Sequence, residues 1–397
     1  MVKLILLGLL AGAFFSSTFI LNELMSSAGG NWFWSASLRY LFMWLIITVI
    51  ITMQHGFGRI KELSAIFRQH WRFWCTTGSI GFGIFYTGIC YAGDHVAGWV
   101  VAATFMFTVV TSLLVLLAFG QRFDKKFILY ALLVFIGVVL VNVSEGLRAS
   151  ALADTNSIAM ADMLLYGALP ALVAAFSYPI GNQLVWQVSH NSRKYTAELQ
   201  QARESAAHQN GIDTHTQQLI TEAPVLSVAT QSVDTYSNDV PNNIVSENST
   251  TMTMTMAMAT VQPTSALQNL IARIPAIETT LLQNAFNKIW LMTLGSLPFW
   301  LLLGLIIRPE QPAPTQLFNT LLVALLAGVA ATSIFLYARE QAVTSSEVAG
   351  VDSTQASEVI FALIGGILLL NNAIPSALGL VGIGLIILGL VLFAKDG

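Results

Sequence analysis

Charge is what this chain has least of. Of its 397 residues only 10% are Asp, Glu, Lys or Arg, against about 25% in soluble domains. Hydrophobic residues make up 55%, and mean hydropathy is +0.68. That balance excludes a soluble globular fold. There is no basic stripe of the kind that follows a nucleic-acid backbone. The net charge of −3 decides nothing further, because membrane orientation follows the placement of Lys and Arg rather than their sum. Cysteine is almost missing. Cys75 and Cys90 fall on one expected helix, about 22 Å apart at 1.5 Å per residue, too far for a disulfide. Neither sits in a CxxC pattern, so both read as packing residues. P-loop, GxSxG, HExxH and Gly-rich dinucleotide signatures are also missing. The chain is therefore not expected to be an enzyme or to hold a cofactor or metal.

What is present is a series of apolar runs. Ten approach the roughly 20 residues needed to cross a bilayer: 4–25, 33–53, 74–93, 97–119, 127–144, 163–188, 289–307, 317–338, 353–370 and 375–394. Lipid leaves no partner for unpaired backbone groups, so all ten are expected to be helices. The ninth is the weakest, interrupted by Glu358. Residues 1–30 have the outline of a signal peptide, with Lys3, a leucine-rich core and Ala11-Gly12-Ala13. The run continues past them to Ile20, however, and it has an internal counterpart, so retention is expected. Arg59, Lys61, Arg68, Arg72, Arg122, Lys125 and Lys126 lie in loops on one side, with Lys3 and Lys395 at the ends. The opposite loops are nearly free of basic residues. The positive-inside rule then places both termini in the cytoplasm of a multi-pass protein of the cytoplasmic membrane.

The counterpart is residues 176–184, FSYPIGNQL, laid over residues 16–24, SSTFILNEL. Ser17, Ile20, Asn22 and Leu24 meet Ser177, Ile180, Asn182 and Leu184, and Glu23 meets Gln183. Each copy opens a set of five apolar segments. Tyr91-Ala92 and Tyr337-Ala338, Arg39 and Lys288, and IGVVL at 136–140 with LGLVL at 388–392 continue the echo in order. Five is odd, so the second set must enter the membrane from the opposite side. The expected fold is all-α: ten transmembrane helices in two inverted five-helix repeats, an arrangement typical of secondary transporters. The divisions are 1–144 for the first repeat, 145–162 for an outer loop, 163–188 for the sixth helix and 285–397 for the last four.

Residues 189–284 form a cytoplasmic insert whose polar composition predicts disorder over most of its length. Its TMTMTM run at 251–256 matches the preference of Cu(I) for thioethers. No His or Cys accompanies it, and compositional drift accounts for it equally well. Leu267, Leu270, Ile271, Ile274, Ile277 and Leu281 have the spacing of an amphipathic helix at the membrane surface.

Polar residues inside the apolar runs are expensive and mark candidate sites. Glu23 lies near the outer end of the first helix, and Arg39 lies one to two turns into the second from the same side. The two are placed to pair, as a structural ion pair or as an outer-gate substrate site. Asn22 and Asn182 hold helix contacts together or line a cavity. Ser16, Ser17 and Tyr178 lie nearer mid-membrane. Pro179 is expected to break the sixth helix locally and free backbone acceptors. Trp99 and Trp186 fit interface anchors or stacking residues. Glu358, drawn into the membrane by the shortness of its helix, is either a proton-exchanging carboxylate or a structural acid at the rim.

Those residues carry a family resemblance. FILNEL at 19–24, WSASLRY at 34–40, SEVIFA at 357–362 and the glycine-rich stretch 379–392 resemble the drug/metabolite transporter superfamily (EamA-like). Within it the match is to the multidrug-resistance efflux branch. The likeness spans all ten segments but not residues 189–280. It implies a central cavity lined by the first, third, fourth, sixth, eighth and ninth helices, a small-molecule substrate and the lipid bilayer as partner. Small relatives carry an essential carboxylate in the middle of the first helix, where this chain has Ser16–Thr18. The expected function is a secondary active transporter exporting hydrophobic drugs or small metabolites by alternating access, with proton coupling as one source of energy. A narrow metabolite or amino-acid exporter, or a sensor acting through the insert, are the other readings.

Overall fold

The computed structural model describes residues 2–119, 125–151, 160–221, 271, 274–275, 277, 279–341, 351 and 354–396. Every regular element among them is a helix; no strand occurs among the described residues. The order is α1 Val2–Ser27, α2 Trp32–His55, α3 Phe57–Gln69, α4 over residues 71–93, α5 Gly98–Ala118 and α6 Lys125–Ala151. It continues with α7 over residues 160–221, α8 Ala285–Ile307, α9 over residues 314–340, α10 Thr354–Leu370 and α11 Ala377–Asp396. All ten expected apolar segments fall on helices. Seven of these helices (α1, α2, α5 to α9) are long and apolar enough to cross a membrane. α4 is diluted by Thr76, Thr77, Ser79 and its glycines, and α10 and α11 are shorter.

Local chemistry explains where the helices start and stop. Asn31 caps α2 by accepting from the Phe33 N–H at 2.9 Å, and Asn284 caps α8 by accepting from the Phe286 N–H at 2.8 Å. Arg308 and Asn371 end α8 and α10 in the left-handed conformation. Pro314 opens α9, where its missing N–H costs nothing. α3 is the amphipathic exception. It buries Ile60 and Leu63 and leaves Arg59, Lys61 and Arg68 outward.

Small residues let the helices approach closely, as they must where lipid removes the hydrophobic drive for association. Gly137 of α6 and Gly382 of α11 each face the other's carbonyl oxygen, and Gly81 of α4 meets Gly181 of α7 backbone to backbone. The packing has a regular plan. α1 packs on α9 and α10, while α7 packs on α4 and α5; α2 packs on α9, while α8 packs on α4. α2 pairs with α8, α5 with α10 and α6 with α11. Exchanging the set α1, α2, α4, α5, α6 with the set α7 to α11 carries the first six of these contacts onto one another and the last three onto themselves. Detail follows the same exchange. Widened π turns occur at matching places in α4 at Ser79–Ile84 and α9 at Ala324–Ala331, while a third, in α7 at Leu164–Ala168, has no counterpart in α1. Thr354 and Ser357 of α10 press on Gly8 and Gly12 of α1, and Thr111 of α5 donates to the Ala175 carbonyl of α7.

Four expectations are corrected here. The sixth helix, expected to end at 188, continues to Thr221; the rest of the insert, 222–270, including the methionine run and Leu267 and Leu270, lies outside the described residues. The start of the outer loop, 145–151, is the last part of α6, where Glu145 pairs with Arg148 at 3.2 Å. The amphipathic pattern at 271–281 is not one regular helix: its described residues are largely irregular, with a short 3-10 turn at Leu281–Gln283. Ile274, Ile277 and Leu282 are buried against Ile47 and Ile51 of α2, Leu63 of α3, Trp74 of α4 and Trp290 of α8. Last, Pro179 does not break α7, which is helical on both sides of it. A proline withdraws the hydrogen bond due to the carbonyl four residues earlier. That carbonyl is Ala175, and the Thr111 hydroxyl supplies the missing donor.

Thr111→Val should therefore lower stability by about 1–3 kcal/mol, the cost of a buried acceptor left unpaired. Thr111→Ser should cost much less. Thermal unfolding of the detergent-solubilised variants checks this; a valine variant as stable as wild type would remove the compensation.

Candidate functional site

The deepest polar grouping lies where α1, α2, α4 and α8 meet. Thr18 and Asn22 are four residues apart and so share one face of α1. Arg39 of α2 is 8% exposed; its Nη1 donates to Thr18 Oγ1 at 3.3 Å and its guanidinium carbon stands 4.1 Å from the Tyr86 ring centroid. Asn22 Nδ2 donates to the Tyr86 hydroxyl at 3.1 Å. Tyr40 stacks between Phe82, at 4.8 Å, and Trp300, at 5.9 Å. Arg39 Nε and Trp300 Nε1 are both buried without an acceptor among the described residues. The result is a cation enclosed by aromatic faces.

The expected Glu23–Arg39 pair does not form. One residue along a helix is a 100° turn, so Glu23 leaves the face that Asn22 and Thr18 share. Its Oε2 accepts from the Gly98 N–H at 2.7 Å, capping α5, and its Oε1 accepts from Asn372 Nδ2 at 2.7 Å. A Cβ at position 98 would strike the Phe19 carbonyl and crowd the Glu23 carboxylate, so glycine is required there. Glu23 thus ties α1 to the start of α5 and the end of α10.

The other expected residues divide. Ser16 and Ser17 spend their hydroxyl donors on their own helix, at Ala13 O (2.8 Å) and Phe14 O (2.6 Å). Tyr178 is half-buried against Phe85 and Phe105, at the edge of the Arg39 group and within electrostatic reach of Tyr40. Asn182 is exposed, and the buried amide on that turn is Gln183; the one-letter echo with Asn22 is one step out of phase. Trp99 is buried, which removes it as an interface anchor, whereas Trp186 is exposed and stacked on His190. Glu358 is buried in the first turn of α10, and among the described residues it has no hydrogen-bond or ion-pair partner. It does not belong to the Arg39 group.

Sequence reasoning did not mark Tyr40, Tyr86 or Trp300, because an aromatic in an apolar run reads as core. A signal existed in depth. Arg39, Tyr86 and Trp300 each lie about two turns from the Trp32, Gly93 and Ile307 ends of their helices, ends that the expected order of ten apolar segments puts on one side. A crevice of about 480 Å³ lies elsewhere, bounded by Gln54 of α2, Gln283, Phe286 of α8, and Ser333 and Tyr337 of α9. No charged residue is among those that line it.

A helical bundle with these apolar spans and buried polar groups is a multi-pass membrane protein. The family model described as "EmrE: Putative multidrug resistance efflux transporter" matches residues 2–396, and the chain belongs to that transporter family. It is 27% identical over 98% of its length to "Uncharacterized protein YjlA" of Bacillus subtilis (strain 168), covering 94% of that protein. It is 36% identical over 45% of its length to an uncharacterized 42.1 kDa protein of Shouchella clausii, covering 46% of it. A solved chain described as "Crystal structure of protein" shares 11% identity over 99% of this chain and 96% of its own, with a TM-score of 0.48.

In the turn that follows α4, Asp94 is exposed as a residue, with its carboxyl partly covered. Burial raises its pKa, opposed by hydrogen bonds from the Ser26 side chain and the Trp32 backbone. A carboxylate raised on folding costs stability as pH rises from its unfolded value through its folded one. Asp94→Asn keeps an acceptor and removes the charge. Melting curves across pH should show the two proteins alike below the carboxylate range, with the asparagine variant ahead at neutral pH. An advantage for the wild type at neutral pH would reverse the assignment.

Proposed function

We propose that this member of the family is a secondary transporter that exports small organic molecules across the cytoplasmic membrane by alternating access. In this reading α1, α2 and α4 to α11 all cross the bilayer as two inverted repeats. α3 lies on the cytoplasmic surface, and both termini are cytoplasmic. The observation that carries the reading is the packing plan, in which exchange of the two sets of five helices carries each major contact between them onto another or onto itself. A duplicated unit inserted in opposite senses has two arrangements, open to one side or the other, reached when the halves trade roles. The π turns at matching places in α4 and α9 fit that motion, since such turns loosen a helix locally and concentrate at functional positions. The basic residues on α3, followed by Arg72, favour the cytoplasm for that side. The crevice between α2, α8 and α9 is then an inward vestibule.

Glu358 is the residue assigned to proton coupling. It is buried on the helix that packs against α1 and α5, and no described group pairs with it. A carboxylate so placed can take up and release a proton as the halves rock. Flux of a panel of labelled compounds into proteoliposomes, with and without an imposed pH gradient, tests both parts. Gradient-driven flux that falls to background in Glu358→Gln is the expected result. Gradient-independent flux that is equal in the variant would leave a facilitator and remove the coupling role. Absence of flux for every compound would reject transport.

A further inference from the structure

We propose that Arg39 and the aromatic residues around it form the subsite for the anionic group, a carboxylate, of an organic substrate with an apolar body. The inference names the substrate class of the transporter read above and rests on that reading.

A guanidinium cannot shed its charge in a protein. Burying it inside a membrane bundle is costly unless an acid or several acceptors answer it. Here the acids are occupied or elsewhere. Glu23, the nearest in sequence, gives both oxygens to Gly98 and Asn372. Glu358, on α10, has no hydrogen bond or ion pair with Arg39. Thr18 offers a neutral acceptor at 3.3 Å, and Tyr86 offers a ring face at 4.1 Å together with its hydroxyl as a second neutral acceptor. Among the described residues Arg39 Nε has no acceptor, nor has Trp300 Nε1 on the far side of Tyr40. The site therefore holds two orphan buried donors and a surplus positive charge, and what it lacks is a group rich in acceptors and negative in charge. A carboxylate matches the planar fork of a guanidinium better than any neutral group does.

The surroundings describe the remainder of the ligand. Tyr40, Phe82 and Trp300 stack in one column, a wall for an apolar or aromatic body. Although α2 stands outside the helices expected to line the cavity, its guanidinium reaches α1 through Thr18 and α4 through Tyr86, and both belong to that set. In the conformation described Tyr40 fills the gap between Phe82 and Trp300, so the subsite is shut. It opens when α2 and α8 part. The fixed positive charge also opposes lipophilic cations at this position.

The test uses full-length protein in nanodiscs for binding and in proteoliposomes for flux, with labelled phenylacetate, its neutral isostere phenylacetamide, and tetraphenylphosphonium. Phenylacetate should bind, and phenylacetamide should bind about 30-fold more weakly or worse, as expected when a buried charge loses its partner. Arg39→Met should lose phenylacetate binding, Arg39→Lys should retain a weakened form of it, and Trp300→Phe should weaken it with the fold intact. Monodispersity by size exclusion and an unchanged melting temperature exclude unfolding as the cause. Equal binding of acid and amide, or phenylacetate binding that survives Arg39→Met, overturns the subsite. So does absence of phenylacetate binding in wild type. Tetraphenylphosphonium flux without phenylacetate binding overturns the subsite while transport stands. Arg39-dependent phenylacetate binding with no flux of any probe upholds the subsite while transport fails.

Discussion

Hydrocarbon accepts no hydrogen bonds, and the arrangement of this bundle follows from that single refusal. Each polar group inside it has to be answered from within the chain. Ser16, Ser17 and Ser177 turn their hydroxyls back onto their own helices. Asn142 reaches Thr104 and the Val138 carbonyl, and Glu23 closes two helix ends at once. When these are accounted for, two buried charged side chains among the described residues stand apart: Arg39, answered by one threonine and by the hydroxyl and face of one tyrosine, and Glu358, answered by nothing described. The proposed function is assigned to these two by subtraction, because a charge buried inside a membrane bundle is costly.

The places of the helices were legible in the residues because apolar run length reports lipid contact directly. Their ends were less so. α6 and α7 continue past the apolar stretch because backbone hydrogen bonding does not stop where hydropathy does. The 271–281 pattern was read as a helix from its spacing, but that spacing records only a need for burial, which an irregular segment with a short turn meets by packing under α2 and α8. At the site, Arg39 and Glu23 were visible as costly groups. Their partners were not, since facing depends on a 100° step that letters do not display. Asn182 and Gln183 make the point: adjacent in the chain, one is exposed and one buried. Tyr86 and Trp300 were hidden among apolar neighbours, and only a shared depth across helices distant in sequence brings them together.

Membership of a multidrug efflux family suggests breadth, and an aromatic column is a broad surface: stacking accepts many shapes. A fixed guanidinium is not broad. It sorts ligands by sign before shape is consulted, and it keeps that sign at any physiological pH. A carboxylate such as Glu358 can change its charge with its surroundings. The bundle thus separates a constant charge from a changeable one, on different helices.

The bond from Thr111 to Ala175 links residues from the two halves through an absence, the amide hydrogen that Pro179 does not have. Neither residue has a reason to persist without the other. A relative that replaces the proline supplies its own backbone donor and releases position 111 to any small apolar side chain. A relative that keeps the proline needs a hydroxyl there. Positions 111 and 179 should therefore change together across the family, leaving in aligned sequences a trace of contact between α5 and α7 that neither position carries alone.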